Sequence, residues 1–408
     1  MALSGQANST EERARDVADA PRFRPVAVVA GAVIVAAVVL AGYGIFAAMG
    51  REAAFSWIAG GVFGWVLQRT RFCFLCNLRD FLERREPAGA LAILLALAVG
   101  LIGYHVVTGA WIVDAFAGHL PPKAHIAPVG WNLVLGGLAF GAGMGVSGSC
   151  ISAHLYRLGE GSFVCLFALI GGILGFLVGF LTWNPIYLAL VSGQPVIWLP
   201  ATFGFGGSLL LQLGVLGLLF LAVSTLARHA PAPTDAGESM VRKVLFKRWP
   251  AWVGGLIIGL LAAAVLLRTE PLGVTSELTR AARFLGNHFS LLPERMEGLD
   301  TIRGCASRPA EGLFSRGFLF ISALVLGSLG SALMSNEFEW ERPSFSGAFL
   351  ALAGGVLLGW GAMVSFGCTV GTLLSGIHAS SLSGWLFGVA VVGGILLGLP
   401  VRRRFLKG

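Results

Sequence analysis

One stretch of this sequence occurs twice, and it limits the possible folds more than any other feature. The first copy, GGLAFGAGMGVSGSC, runs from Gly136 to Cys150, and the second, GGVLLGWGAMVSFGC, from Gly354 to Cys368. They align without gaps and share Gly136/Gly354, Gly137/Gly355, Gly141/Gly359, Gly143/Gly361, Val146/Val364, Ser147/Ser365 and Cys150/Cys368. Each copy reads as a short apolar helix with glycine along one face, which lets a neighbouring backbone approach closely inside a membrane. Each stops at a serine, a glycine-containing break (Gly148, Gly367) and a single cysteine. The segments beyond, Ile151 to Arg157 and Thr369 to Gly376, are too short to span a bilayer. A broken helix with polar residues at its break, present in both halves of a chain, is a sequence pointer to a transporter's central site.

Composition agrees with a membrane setting. Of 408 residues, 56% are hydrophobic and 12% charged, and the mean hydropathy is +0.79. That is too little polar surface for a soluble fold of this size, so the chain is an all-α polytopic membrane protein. The 58 glycines suit close helix packing. The net charge of +8 reflects Lys and Arg in cytoplasmic loops rather than nucleic-acid binding. Residues Met1 to Ala20 carry both charge signs and lack a signal-peptide pattern, which makes them a cytoplasmic tail.

About ten apolar segments follow: Val26–Met49, Ala54–Leu67, Leu91–Val107, one from Trp131, Phe163–Leu181, Ser208–Leu226, Trp252–Leu267, Gly317–Met334, Phe345–Phe366 and Trp385–Leu399. Arginines and lysines cluster at Arg69–Arg85, at Arg242–Arg248 and at Arg402–Lys407, whereas Trp183–Gly207 has none. With both termini inside, this bias is satisfied and the two glycine–cysteine copies run antiparallel. The expected architecture is therefore an inverted-repeat helix bundle with short broken or re-entrant helices at its centre, the breaks meeting near the midplane. Its parts are a polar tail (1–25), an extra transmembrane helix (26–50) and a transporter domain (51–408). The repeat halves are about 51–227 and 250–408, with an outer polar loop at about 268–316. A weaker echo, GVFG at Gly61–Gly64 and GSLG at Gly327–Gly330, comes out parallel and does not fit strict inversion.

There are six cysteines. A lone buried cysteine is usually a small hydrophobe, but a matched pair at helix breaks argues for chemistry. Backbone N–H groups at such a break favour an anion. A protonated thiol adds an S–H donor and a soft acceptor, which suits an anion containing sulfur or selenium better than phosphate. Ser147 and Ser365, with Gly148 and Gly367, would support Cys150 and Cys368. Cys73 ends the second segment beside Arg71, where an exit residue with an attracting charge (helped by Arg69) competes with a snorkelling arginine next to a core cysteine. Cys73 and Cys76 form C-x-x-C, open to a redox reading; without a second such pair or nearby histidines a zinc site is not expected, and no metal or other cofactor is called for. Cys165 reads as core, and Cys305 stands alone in the outer loop. His154, Arg157 and Glu160 lie near the inner boundary, and Arg157 with Glu160 divides evenly between function and capping. His378 falls near the outer boundary, either a residue of the inlet or, more in keeping with its place, an interfacial one.

Three stretches, GAGMGVSGSCISAHLYRLGEG (Gly141 to Gly161), SFGCTVGT (Ser365 to Thr372) and RFCF (Arg71 to Phe74), resemble the YeeE/YedE family of sulfur-transport membrane proteins. The resemblance runs from about Phe55 to the C-terminus. It implies inward carriage of thiosulfate across a bacterial inner membrane, with Cys73, Cys150 and Cys368 as a thiol relay. It also implies a cytoplasmic sulfur-carrier protein of the TusA type as partner. The extra helix at Val26–Met49 is similar to longer YedE-type members, some linked to selenium, and the first break has SGSC where many members have GGC. The readings to be separated are a thiosulfate transporter, a selenium-compound transporter and a membrane thiol oxidoreductase built on Cys73 and Cys76.

Overall fold

The computed structural model describes residues 25–227, 245–293, 295–299 and 315–406. The polar tail up to residue 24 and Cys305, in the outer loop, lie outside them. In chain order the helices are α1 (Pro25–Met49), α2 (Arg51–Thr70), α3 (Phe74–Arg84), α4 (Ala88–Trp111), α5 (Trp131–Ser147), α6 (Ile151–Gly159), α7 (Val164–Leu181) and α8 (Trp183–Ile186). They continue as α9 (Leu199–Leu226), α10 (Ala251–Arg268), α11 (Ser276–His288), α12 (Arg316–Met334), α13 (Phe345–Val364), α14 (Gly376–His378) and α15 (Leu382–Leu406). Two π-helical turns, Tyr187–Val191 and Thr369–Ser375, complete them, and no β-strand occurs among the described residues.

Each of the ten expected apolar segments falls on a long helix. Among the described residues, nine helical stretches are long and apolar enough to cross a membrane, α5 and α6 together counting as one. The tenth helix, α2, is twenty residues long but polar at both ends through Arg51, Glu52, Gln68 and Arg69. The exposed apolar side chains of α1 (Val29, Leu40) and α9 (Leu210, Leu218) are what a lipid-facing surface requires, so the chain is a multi-pass membrane protein. The short α3 is amphipathic instead: Leu75 and Phe81 are buried while Arg84 is exposed.

Helix contacts reveal the inverted repeat. α2 packs on α12 as α10 packs on α4; α5 packs on α15 as α13 packs on α7; α6 meets α12 as α14 meets α4. The pairs α5–α13 and α2–α10 are their own counterparts. Exchanging α2–α7 with α10–α15 thus maps the bundle onto itself, while α1, the short α8 and α9 stand outside this symmetry. At the centre, α5 and α13 cross antiparallel. A Cβ on Gly136 would lie 2.8 Å from the Gly361 carbonyl oxygen, and one on Gly143 would lie 2.7 Å from that of Gly354. The outer flanks of the same helices are equally tight, since side chains on Gly141 and Gly359 would collide with the carbonyl oxygens of Val391 on α15 and Gly172 on α7.

The Gly61–Gly64 and Gly327–Gly330 motifs are not repeat counterparts: Gly64 abuts Leu324 and Gly327 abuts Gly61, so they are the two faces of the single α2–α12 contact. The helix ends at the two breaks stand apart, whereas the residues just beyond them converge, Cys150 and Ser152 with Thr369 and Val370 lining one small cavity. Ser365 lies against Gly136 and Ser147 against Gly354. At 1.5 Å per residue along α5, the breaks are about 16 Å apart.

Candidate functional site

The first break begins where α5 ends at Ser147. Gly148 follows with φ 92°, the left-handed conformation, and its N–H reaches the Met144 carbonyl. Glycine adopts that φ without strain, and a Cβ here would in addition displace the Arg402 guanidinium. Ser147 Oγ donates to the Ser149 carbonyl at 3.2 Å and lies 3.1 Å from His154 Nε2, which is left to donate to it. Arg157 Nη1 donates to Ser149 Oγ at 3.1 Å, and Arg402 Nη1 to the Val146 carbonyl at 3.0 Å. Two guanidinium groups therefore brace the loop that carries Cys150. Ser147 and Gly148 shape this loop.

The second break solves the same problem with other residues. In the gapless alignment Phe366 takes the place of Gly148, and it too is left-handed, at φ 64°. A non-glycine residue in this conformation must be held by its surroundings. Phe366 is fully buried with its ring edge-on to Trp183, centroids 5.6 Å apart, and Trp183 Nε1 is anchored on the Glu297 carbonyl at 2.9 Å. Ser365 Oγ donates to the Gly361 carbonyl at 2.6 Å. Thr372, which occupies the position of His154, donates to the Ser365 carbonyl at 3.2 Å and sits 3.2 Å from His125 Nε2. Each break thus has an imidazole beside its hydroxyls, from α6 in one case and from the 112–130 connection in the other. Gly367 stays small because a Cβ would come 2.7 Å from Thr372 Oγ1.

All three expected cysteines hold the same backbone post. Cys73 precedes α3, Cys150 precedes α6 and Cys368 precedes the π-helical Thr369–Ser375, each in an extended conformation. All three are buried. Cys73 and Cys150 come together with their Sγ atoms 4.0 Å apart, and Cys150 Sγ is 3.2 Å from Ser152 Oγ. Cys368 belongs to the other break. Between the two lies a cavity of about 30 Å³, reached by Cys150 and Ser152 from one side and by Thr369 and Val370 from the other, with Phe63 and Leu67 among its apolar walls. That is room for about one water, so the path between the breaks is closed in this conformation.

Arg71 caps α2 in a left-handed conformation at φ 50°. Its guanidinium is 3.8 Å from Glu160 and 3.5 Å from Glu337, with 38% of the side chain exposed. Gln68 extends the network, donating to Glu337 at 2.8 Å and accepting from Ser331 at 2.6 Å. Burial pushes the Glu160 carboxyl up, and the Arg71 and Arg157 charges oppose that. The suggested Arg157–Glu160 pairing gives way to two other contacts, Arg157 with Ser149 and Glu160 with Arg71. Arg69 is fully buried. It binds the Leu245 and Lys247 carbonyls and stacks on Trp65, which ties the link between the halves to α2 rather than facing a passing ion. His378 is neither an inlet residue nor interfacial: it is fully buried, its Nε2 3.1 Å from the Ala96 carbonyl and its ring 5.1 Å from Tyr104.

Sequence reasoning missed His125 and Arg402. His125 lies in a loop that no local pattern marks, and Arg402 was read only as a boundary charge. Among the described residues, no group of three or more His, Cys, Asp or Glu is placed to hold a metal ion.

Comparison with known proteins adds a separate line of argument. A family model described as Sulphur transport matches residues 69–397. The thiosulfate transporter TsuA of Escherichia coli (strain K12) is 24% identical over 362 residues, covering 83% of this chain and 91% of that protein. The thiosulfate transporter TsuA of Spirochaeta thermophila is 26% identical over 344 residues, covering 81% and 92%. A probable transporter YedE of Escherichia coli is 29% identical over 201 residues, 48% of each chain.

Proposed function

The chain belongs to the sulphur-transport (YeeE/YedE) family, and from that premise we propose that it imports thiosulfate through successive hydrogen bonds to cysteine thiols. The observation that carries this reading is the repeated placement of a buried thiol at the head of a short helical segment, at Cys73, Cys150 and Cys368. A soft donor there, beside the unpaired N–H groups of a helix start, suits an ion with a terminal sulfur.

The route runs from Cys368 at the outer break to Cys150, and then across 4.0 Å to Cys73. Neutral thiols hold the ion weakly enough to release it, as serial sites require. Passage between the breaks requires Phe63 and Leu67 to move apart from the π-helical segment, because the present cavity is too small for the ion. Arg71, countered by two carboxylates, marks the exit without trapping the anion. The membrane is a bacterial inner membrane with both termini in the cytoplasm. The arginines on α3 and at the end of α15 lie on that side, where a TusA-like carrier collects the sulfur.

Growth of a sulfur-auxotrophic strain on thiosulfate as sole sulfur source tests the activity. Expression of this chain should restore growth, and excess unlabelled thiosulfate should suppress labelled uptake far better than sulfate or phosphate. No rescue, or equal suppression by sulfate, would rule the reading out; preferential suppression by a selenium analogue would redirect it to selenium.

A further inference from the structure

The internal symmetry places a hydroxyl pair where the inner half has Cys73. At the end of α2, Thr70 Oγ1 donates to the Val66 carbonyl at 2.7 Å; at the end of α10, Thr269 Oγ1 donates to the Val265 carbonyl at 3.0 Å. After Thr70 the chain passes Arg71 and Phe72 to Cys73, whose carbonyl accepts the first bond of α3, from Asn77 N at 3.0 Å. After Thr269 a connection three residues longer (by the numbering) leads to Thr275, whose carbonyl accepts the first bond of α11, from Thr279 N at 3.0 Å. Thr275 and Cys73 thus stand at equivalent posts, although Thr275 has already turned into the helical region. The same segment is fastened to the second break, since Ser375 Oγ donates to the Leu272 carbonyl at 2.9 Å.

The hydroxyls there are unusual. Thr275 is fully buried and Ser276 is 5% exposed, yet neither Thr275 Oγ1 nor Ser276 Oγ has a hydrogen-bond partner. A buried hydroxyl without a partner is unfavourable, so each one calls for an explanation, and a bound polar ligand is one. The charges nearby are of both signs and largely paired: Arg280 with Glu277 at 2.6 Å, and Arg316 with Glu52 at 2.6 Å and Glu270 at 3.8 Å, while Arg283 also lies on α11.

We propose that Thr275, with Ser276, forms an outer anion site paired with Cys368 as Cys73 is paired with Cys150, so that the incoming ion is first held by hydroxyls and then passed to thiols. This rests on the transport reading above. A hydroxyl is a harder donor than a thiol and suits the oxygen end of the ion, whereas the thiols suit its terminal sulfur. The outer stop therefore recognises the oxyanion group and the inner stops recognise the sulfur.

The test uses full-length protein in proteoliposomes, with radiolabelled thiosulfate and a thermal unfolding curve for each variant. Thr275→Val keeps the shape and removes only the hydroxyl. It should raise the half-saturating thiosulfate concentration by roughly 10-fold or more, the usual effect of losing a hydrogen bond to a charged group, with the maximal rate kept. The unfolding temperature should hold or rise, because the hydroxyl removed has no partner in the fold. Thr275→Ser, which keeps the hydroxyl, should retain most of the affinity, whereas Thr275→Cys, with its softer donor, should not. An unchanged saturation curve for Thr275→Val, beside wild-type uptake, would overturn the outer site and leave the transport reading standing. So would a lowered unfolding temperature accompanying the defect, since the hydroxyl would then serve the fold. Wild-type vesicles that take up no thiosulfate would overturn both.

Discussion

Truncation of Cys150 separates a relay from a packing residue because its two effects differ in size. Cys150 is 2% exposed, its sulfur 4.0 Å from Cys73 Sγ and 3.2 Å from Ser152 Oγ. Cys150→Ala removes one heavy atom beside a cavity of about 30 Å³ that already exists. By analogy with other single-atom core deletions, the loss of stability is about 1 kcal/mol. Most of the protein stays folded, as natural stabilities are several times that. The effect on passage is larger. A donor lost to a charged ion is worth roughly 1.5–3 kcal/mol, or about 10- to 150-fold if this step limits the rate. The assay is initial uptake of labelled thiosulfate into proteoliposomes at matched protein, with Cys368→Ala as the paired site and Cys165→Ala as the control. Uptake should nearly vanish in the first two and persist in the third, with only a small shift in the unfolding curve. Wild-type rates in both Cys150→Ala and Cys368→Ala would refute the relay and return the matched cysteines to packing.

Three further outcomes follow from the geometry. Gly141→Leu should lose both stability and uptake, because its Cβ would fall on the Val391 carbonyl; overpacking of this kind costs about 1–3 kcal/mol or more, and normal yield and melting behaviour would place that face in lipid. Mild oxidation should join Cys73 to Cys150, which need approach by only about 2 Å to bond, and should block uptake until a reductant is added; peptide mapping that finds neither the crosslink nor inhibition would count against their juxtaposition. A reporter active only outside the membrane should respond when fused after Gln194 and stay silent at the C-terminus, and the reverse pattern would invert the proposed direction of the route.

The ten helices and the two breaks were legible because both are local properties. Long apolar runs cannot stay in water, and a glycine row followed by serine and cysteine ends a helix wherever it is placed. Cys73, Cys150 and Cys368 stood out for the same reason, through their position at a helix end and the duplication of one motif. The echo between Gly61–Gly64 and Gly327–Gly330 did not fit the inversion, and the sequence could not say why, because similarity does not distinguish two copies of a helix from two partners in one contact. His378 was placed near a surface by counting along the chain, but the short π-helical and α14 segments turn back into the bundle, which buries it against α4.

Taken alone, the chain determined its solvent, its ten long apolar helices and its doubled broken motif, since these depend on residue type and spacing within a few turns. Only the tertiary structure decided which thiols meet. Cys73 and Cys150 are 77 positions apart, and their contact depends on the pseudo-twofold packing of α5 on α13 and α2 on α10. The same long-range geometry committed Arg71 to two carboxylates, brought His125 to Thr372, and left the Thr275 and Ser276 hydroxyls buried without partners. Hydropathy is summed residue by residue along a helix, but a hydrogen bond or ion pair forms only where two remote backbones have already been brought together, and here close approach of glycine faces does that.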